Sequence, residues 1–145
     1  MTMTRRDAVV SVSALAHLLW SADSGAAQTP AGPTPATPGQ PVFRQDLPHV
    51  SLEGWEVTAS FVDMPPGRVG AAHRHPGFVL VYVVEGAVVA KISGQGDEKT
   101  YTAGQMFYEQ PGATHEVSRN ASQTQPARIL AMIFARKGSP QVLPA

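Results

Sequence analysis

The residues best suited to chemistry in this chain are three histidines in two short stretches. His73 and His75 lie one residue apart in GAAHRHPG, and His115 follows the turn QPGAT further along the chain. In a strand, residues i and i+2 project from the same face, so the first two imidazoles can approach one ion together. One His-x-His alone would fit two surface histidines equally well. With His115 as a third ligand, the pattern predicts a metal site.

One acidic residue lies close to this constellation. Glu109 comes just before the turn that carries His115, and we predict it as the catalytic residue, a general base that reaches the cavity or even the metal. The alternative is an exposed or salt-bridged residue at a strand end. Because the chain has no cysteine, thiolate ligands and disulfides are excluded, and only histidine and oxygen ligands remain for a metal.

The elements that must position these residues read as short strands. In WEVTASFVD, Trp55, Val57, Ala59 and Phe61 alternate with their neighbours, which predicts a half-buried strand. Glu85-Gly86 separates two β-branched runs and predicts a hairpin. No sustained helical periodicity is visible, so the pattern predicts an all-β sandwich or small barrel. The candidates for its lining are Phe61, Val81, Val83, Met106 and Phe107.

Two motifs in this region resemble those of the cupins, a family of double-stranded β-helix or jelly-roll barrels. The first, G-x5-H-x-H-x3-E-x6-G, matches at Gly67, His73, His75 and Gly86. The second, G-x5-P-x-G-x2-H-x3-N, matches at Gly104, Gly112 and His115. The resemblance covers the chain from about Trp55 to Ala135. It implies that the three histidines converge on a divalent metal inside the barrel.

The chain also departs from these motifs. The glutamate of the first motif falls on Val79, the first proline of the second falls on Gln110, and its asparagine falls on Arg119, with Asn120 one place late. Without that glutamate, a metal held by three neutral imidazoles keeps its full charge and is a stronger Lewis acid. Its open positions leave room for a bidentate substrate and for dioxygen.

The resemblance therefore implies a metal-dependent enzyme, dioxygenase-like (an oxidoreductase) or isomerase-like, acting on a small oxygenated or aromatic molecule. The metal stays open among Fe, Mn, Zn, Ni and Cu. The alternative is a non-catalytic cupin that binds a small molecule or a metal without turnover, because one fold hosts both kinds of function.

The N-terminal part has the features of a targeting segment followed by a linker. Residues 1–27 carry Arg5-Arg6, a short apolar stretch and small residues, which predicts a signal peptide similar to the twin-arginine type. Residues 28–41 are rich in proline, alanine and threonine and predict an extended linker. Residues 42–145 then form the barrel domain. We expect an exported protein, periplasmic or secreted, with no stable membrane anchor after signal cleavage.

The balance of charges gives no indication of a nucleic-acid partner. Lys plus Arg and Asp plus Glu number 11 each, so the formal net charge is zero and no basic stripe favours nucleic acid. The expected partner is a small-molecule ligand or substrate. Because cupins commonly dimerise through barrel strands, the resemblance also implies a homodimer, for which the apolar run Ala127–Ala135 offers a strand.

Overall fold

The computed structural model describes residues 39–145, which contain ten β-strands and no helix. The strands are β1 Trp55–Met64, β2 Val69–Gly70, β3 His73–Arg74, β4 Phe78–Glu85, β5 Ala87–Ile92, β6 Lys99–Thr102, β7 Met106–Glu109, β8 Thr114–Asn120, β9 Ala127–Arg136 and β10 Leu143–Pro144. No helix in these residues could therefore span a bilayer. The predicted signal peptide, 1–27, and all but the last three residues of the predicted linker, 28–41, lie outside the described residues.

The strands form two antiparallel sheets. The four-stranded sheet has the order β1-β9-β4-β7. The six-stranded sheet has the order β10-β3-β8-β5-β6, and β2 also pairs with β8. The core is a cluster of buried side chains that includes Val79, Val81, Val83 and Phe107. The prediction of an all-β jelly roll is confirmed. Since β1 and β4 pair with β9 on its two sides, β9 has no free edge for a second chain.

The predicted hairpin at Glu85-Gly86 is wrong. β4 pairs with β7 and β9, whereas β5 pairs with β6 and β8, so the chain crosses from one sheet to the other at Gly86. Gly86 has a φ of 70°, and a Cβ there would lie 2.5 Å from the carbonyl oxygen of Pro126. This corner therefore requires a residue with no side chain.

The prediction that Phe61 faces the barrel interior from β1 is also wrong. Phe61 is 60% exposed, and the guanidinium of Arg128 lies 4.7 Å from the centre of its ring. Ser60 and Val62 line the interior instead, and Met64 is buried. Apolar residues stand on both faces of this strand, because Val62 follows Phe61 directly, so alternation alone could not fix which face turns inward.

The other predicted lining residues divide between the two faces. Val81, Val83 and Phe107 are buried in the core. Met106 is half-buried and pairs with Tyr82. Since Met106 precedes the inward-facing Phe107, it belongs to the outer face of the four-stranded sheet. The prediction of an inward face is therefore correct for Val81 and Val83 and wrong for Met106.

Candidate metal centre

The structure brings the three predicted histidines together. His73 on β3 lies directly opposite His115 on β8, and His75 follows immediately after the end of β3. The ring centroids of His73 and His75 are 5.0 Å apart, and those of His73 and His115 are also 5.0 Å apart. Strand pairing thus places residues that are distant in sequence side by side in the barrel.

A tight turn and the neighbouring strand end fix the position of His115. Gly112 has a φ of 76°, and the amide of Ala113 donates to the carbonyl oxygen of Gln110 at 3.1 Å. The amide of Thr114 donates to the hydroxyl of Ser93 at 2.9 Å, and the amide of Ser93 donates to the carbonyl oxygen of Thr114, also at 2.9 Å. The strand therefore starts at a fixed point, and the His115 side chain is only 5% exposed.

The hydrogen bonds of the rings set their tautomers. His73 Nδ1 lies 2.9 Å from the carbonyl oxygen of Ala71, and His75 Nδ1 lies 2.7 Å from that of Gln141. A carbonyl oxygen only accepts, so each Nδ1 carries the proton and the neutral ring keeps its lone pair on Nε2. His115 Nδ1 faces Glu109 Oε1 at 3.2 Å, which favours the same tautomer. Metal-binding histidines in proteins are oriented by partners of this kind.

Two further properties of the rings fit a metal. Within residues 39–145, His115 Nε2 is buried and has no hydrogen-bond partner, which is a costly state for a polar atom. Burial lowers the pKa of His75, and this effect outweighs its hydrogen bond to Gln141 and its attraction to Glu109, which raise the pKa. The ring therefore stays neutral at the pH where a free histidine begins to protonate, and a metal ligand needs this neutral form.

The donor atoms do not converge on a single point. No group of three or more His, Asp or Glu side chains in residues 39–145 has the geometry to hold a metal ion as it stands. The rings are gathered and their Nε2 atoms are available, so the residue types and tautomers fit a metal. Coordination would require the side chains to turn about their χ angles. The metal-binding role of the three histidines stays a prediction.

Beside the histidines lies a cavity of about 430 Å³, within the usual size range of small-molecule sites. Apolar side chains from β4 and β9 form much of its wall. Polar groups lie at its histidine end and along β1 and β8. The lining residues from β4 and β9 are Val79, Val81, Ile129, Ala131 and Ile133. The site thus joins a cluster of nitrogen donors to an apolar compartment.

Glu109 lies inside this cavity rather than at an exposed strand end. It is 4% exposed, and its carboxylate also lies 3.7 Å from His75 Nε2. The two arginines beside the histidines in sequence are elsewhere: Arg74 donates to the carbonyl oxygen of Pro144, and Arg119 pairs with Glu98 at 3.0 Å. Glu109 is thus the one acidic side chain that lines the cavity in the described part of the chain.

Sequence reasoning missed the reason why Asn120 comes one place late. Between β5 and β8, Lys91 pairs with Val117 but Ile92 pairs with His115, so β8 contains a bulge at Glu116. The extra residue restores the alternation, and both His115 and Asn120 are buried. Asn120 therefore occupies the inward position at the far end of the strand, despite the altered spacing.

Comparisons with known proteins agree with this architecture. The family model of the cupin domain matches residues 60–133, more than half of the chain, and the protein belongs to the cupin family. No curated protein matches the chain. The family assignment therefore comes from the domain match and the fold.

Solved structures with this fold have different activities. A double-stranded β-helix protein from Klebsiella pneumoniae has a TM-score of 0.50 and 22% identity, over 61% of this chain and 75% of that one. A DMSP lyase from Ruegeria pomeroyi has a TM-score of 0.53 and 18% identity, over 61% and 43% of the two chains. An oxalate decarboxylase from Lactobacillus farciminis, in complex with formate, has a TM-score of 0.52 and 20% identity, over 61% and 26%. At these identities the likeness shows the fold alone.

Proposed function

We propose that this protein is a metal-dependent cupin enzyme that acts on a small oxygenated or aromatic molecule. His73, His75 and His115 are the metal ligands, and the adjoining cavity holds the substrate. The reaction is dioxygenase-like or isomerase-like. The observation that carries the proposal is the shared state of the three rings, which keep their Nε2 lone pairs free at the end of a cavity of about 430 Å³.

The residues of the chain contribute in distinct ways. The carbonyl oxygens of Ala71 and Gln141 hold the rings of His73 and His75 in the tautomer that a metal needs. The valines and isoleucines of the cavity exclude water and pack against the body of a small organic molecule. When bound, a divalent metal would supply Lewis-acid polarisation of a substrate oxygen and open positions for dioxygen.

Metal content and turnover test this proposal. Protein purified from medium supplemented with Fe, Mn, Zn, Ni and Cu is expected to contain close to one metal ion per chain. It should consume dioxygen with, or isomerise, at least one member of a panel of diketones, catechols and hydroxy acids. His73→Ala should lose both the metal and the activity, whereas His49→Ala, which changes an exposed histidine outside the site, should keep both.

The alternatives predict different results. Full metal occupancy without turnover on any substrate class would identify a non-catalytic binding cupin. Absence of metal from the wild type, together with unchanged stability of His73→Ala, would identify a barrel that has lost its metal site. Either result would contradict the proposed enzyme.

We also propose that the protein is exported, from the order of cationic, apolar and small residues in 1–27. The basic pair Arg5-Arg6 supports the twin-arginine route, which carries folded proteins. Replacing the pair by Lys-Lys is expected to retain the chain inside the cell. Unchanged export of that variant would argue for the general route. If deletion of residues 1–27 leaves the location of the protein unchanged, this segment is not an export signal.

A further inference from the structure

The cavity also has a cationic side chain among its lining residues, Arg68. Its Nη1 donates to the carbonyl oxygen of Asp63 at 3.0 Å, so the guanidinium lies beside the last residues of β1. The nearby carboxylate of Asp63 pairs with Arg128 instead, at 3.1 Å. Among residues 39–145, the charge of Arg68 therefore has no anionic partner.

The strand register places this guanidinium at the opposite end of the cavity from the histidines. Ile133 on β9 pairs with the β4 residue that faces Glu109, and so marks the histidine end. Ile129, four positions away on β9, pairs with Val62, the residue before Asp63. At about 3.3 Å per residue, these two levels of the barrel are about 13 Å apart. The cavity thus extends from the imidazoles to a guanidinium.

The backbone holds Arg68 in a fixed position at that end. Its amide donates to the carbonyl oxygen of Pro65 at 3.1 Å, and its own carbonyl oxygen accepts from the amide of Asn120 at 2.9 Å. The side chain is exposed, and a guanidinium has five N–H donors, of which the contact with Asp63 uses one. Several donors therefore remain for a ligand at the cavity entrance.

The two ends of the cavity differ in charge. Of the lining residues in 39–145, the acidic one, Glu109, lies at the histidine end, and Arg68 lies at the other end. An anionic group of a ligand is therefore repelled at the first end and attracted at the second. A guanidinium binds a carboxylate through two parallel hydrogen bonds, and the hydroxyls of Ser60 and Ser118 line the wall nearby.

We propose that the substrate is a monocarboxylate, bound with its carboxylate on Arg68 and its oxygenated reacting group at the histidine end. An apolar chain or ring joins the two groups and packs against Val81 and Ala131. Arg68 selects and orients the ligand and takes no part in the chemistry. This inference rests on the proposed function, because the metal defines where the reacting group lies.

The test measures ligand affinity of the full chain by isothermal titration calorimetry. The probes are 7-oxooctanoate, in which five methylene groups separate a ketone from a carboxylate, and its methyl ester, which lacks the charge. The wild type is expected to bind the carboxylate about tenfold more tightly than the ester. Arg68→Gln should abolish this preference. Arg68→Lys should keep about threefold, because the charge remains without the planar donor pair.

Arg119→Gln is the matched control and should keep the full preference, because Arg119 pairs with Glu98 and does not line the cavity. Each protein is titrated with Co²⁺ bound and again in the presence of a chelator. The preference should appear in both states, because Arg68 lies at the end away from the histidines. Circular dichroism and thermal melting check that the variants fold. If Arg68→Gln does not fold, Arg68→Lys decides the question.

Three results would overturn the inference while leaving the proposed function to its own test of metal content and turnover. They are a wild type that binds neither probe, a wild type that binds both within about twofold, and Arg68 variants that keep the full preference. If a preference that needs Co²⁺ persists in Arg68→Gln, the carboxylate binds the metal instead. Conversely, a preference that depends on Arg68 in a protein that binds no metal would support the anion site and contradict the proposed enzyme.

Discussion

Strand β8 carries a buried polar side chain at each end, and the two differ in how they are satisfied. Asn120 is 1% exposed: its Nδ2 lies within hydrogen-bond distance of the carbonyl oxygens of Met64, Pro65 and Gln125, which share its two hydrogens, and its Oδ1 accepts from the amide of Ser122. His115 is 5% exposed, and its Nε2 has no partner in the described chain. The difference separates a side chain that holds the fold together from one with an unused lone pair.

The two ends of the strand also face different surroundings. Asn120 joins the loop after β1 to the loop before β9, so its hydrogen bonds hold backbone segments in place. His115 faces two other histidines, Glu109 and the cavity. Buried polar groups that are fully paired usually specify structure, whereas an unpaired one calls for a separate explanation. We therefore expect substitutions at the two ends to have separable effects.

The largest effect is expected for Asn120→Ala in the metal-free protein. The change leaves buried carbonyl oxygens without donors, so the free energy of unfolding should fall by about 3 kcal/mol. Urea unfolding in the presence of a chelator measures it. Ser122→Ala, which removes only the hydroxyl that caps the next turn, should cost about 1 kcal/mol or less. A loss below about 1 kcal/mol for Asn120→Ala would show that this end does not hold the fold together.

His115→Ala should abolish the increase in the free energy of unfolding that a bound metal produces. A metal at 100 times its Kd stabilises the wild type by about 2.7 kcal/mol, and this gain should vanish in His115→Ala but persist in Asn120→Ala. Urea unfolding of the three proteins with and without Co²⁺ measures the gain. If His115→Ala keeps the gain, the metal binds elsewhere and the comparison between the two ends breaks down.

The smallest effect is expected for deletion of Glu116. Without it, His115 and Asn120 are four positions apart, the spacing that puts both on one face of a regular strand, so the bulge is no longer needed. The free energy of unfolding should change by less than about 1 kcal/mol, and the Co²⁺ affinity should stay within about tenfold. Glu116→Gln separates the effect of losing the Lys91 ion pair. Loss of both stability and Co²⁺ affinity would show that the bulge is needed to position His115 and Asn120.

Residue type and spacing predicted much of the site. The all-β fold, the grouping of His73, His75 and His115, and the inward face of Val81 and Val83 all appear in the structure. These features depend on local alternation or on a motif whose spacing fits one fold. Strand alternation can be recognised from neighbouring residues alone, and the spacing of the two histidine motifs is typical of one fold. These features could therefore be inferred from the sequence.

The features that were missed depend on which strands pair. The corner at Gly86 looks like a hairpin unless β4 and β5 are known to belong to different sheets. Phe61 and Val62 are both apolar, so the phase of β1 is settled only by its register with β9. The position of Glu109 opposite Val79 also depends on long-range pairing. Local sequence carries little information about such pairings, because they are decided by the packing of the whole barrel.

The contact between His75 and Gln141 has a practical consequence for mutagenesis. The group that holds the Nδ1 proton is a main-chain oxygen, brought in from 66 positions away beside the short strand β10. Exchanging the Gln141 side chain leaves that oxygen in place, so an alanine scan would pass over a group that determines how the imidazole meets a metal. Only a change that shifts the backbone there, such as a deletion before Leu143 or an ester in place of the peptide bond, would reveal it.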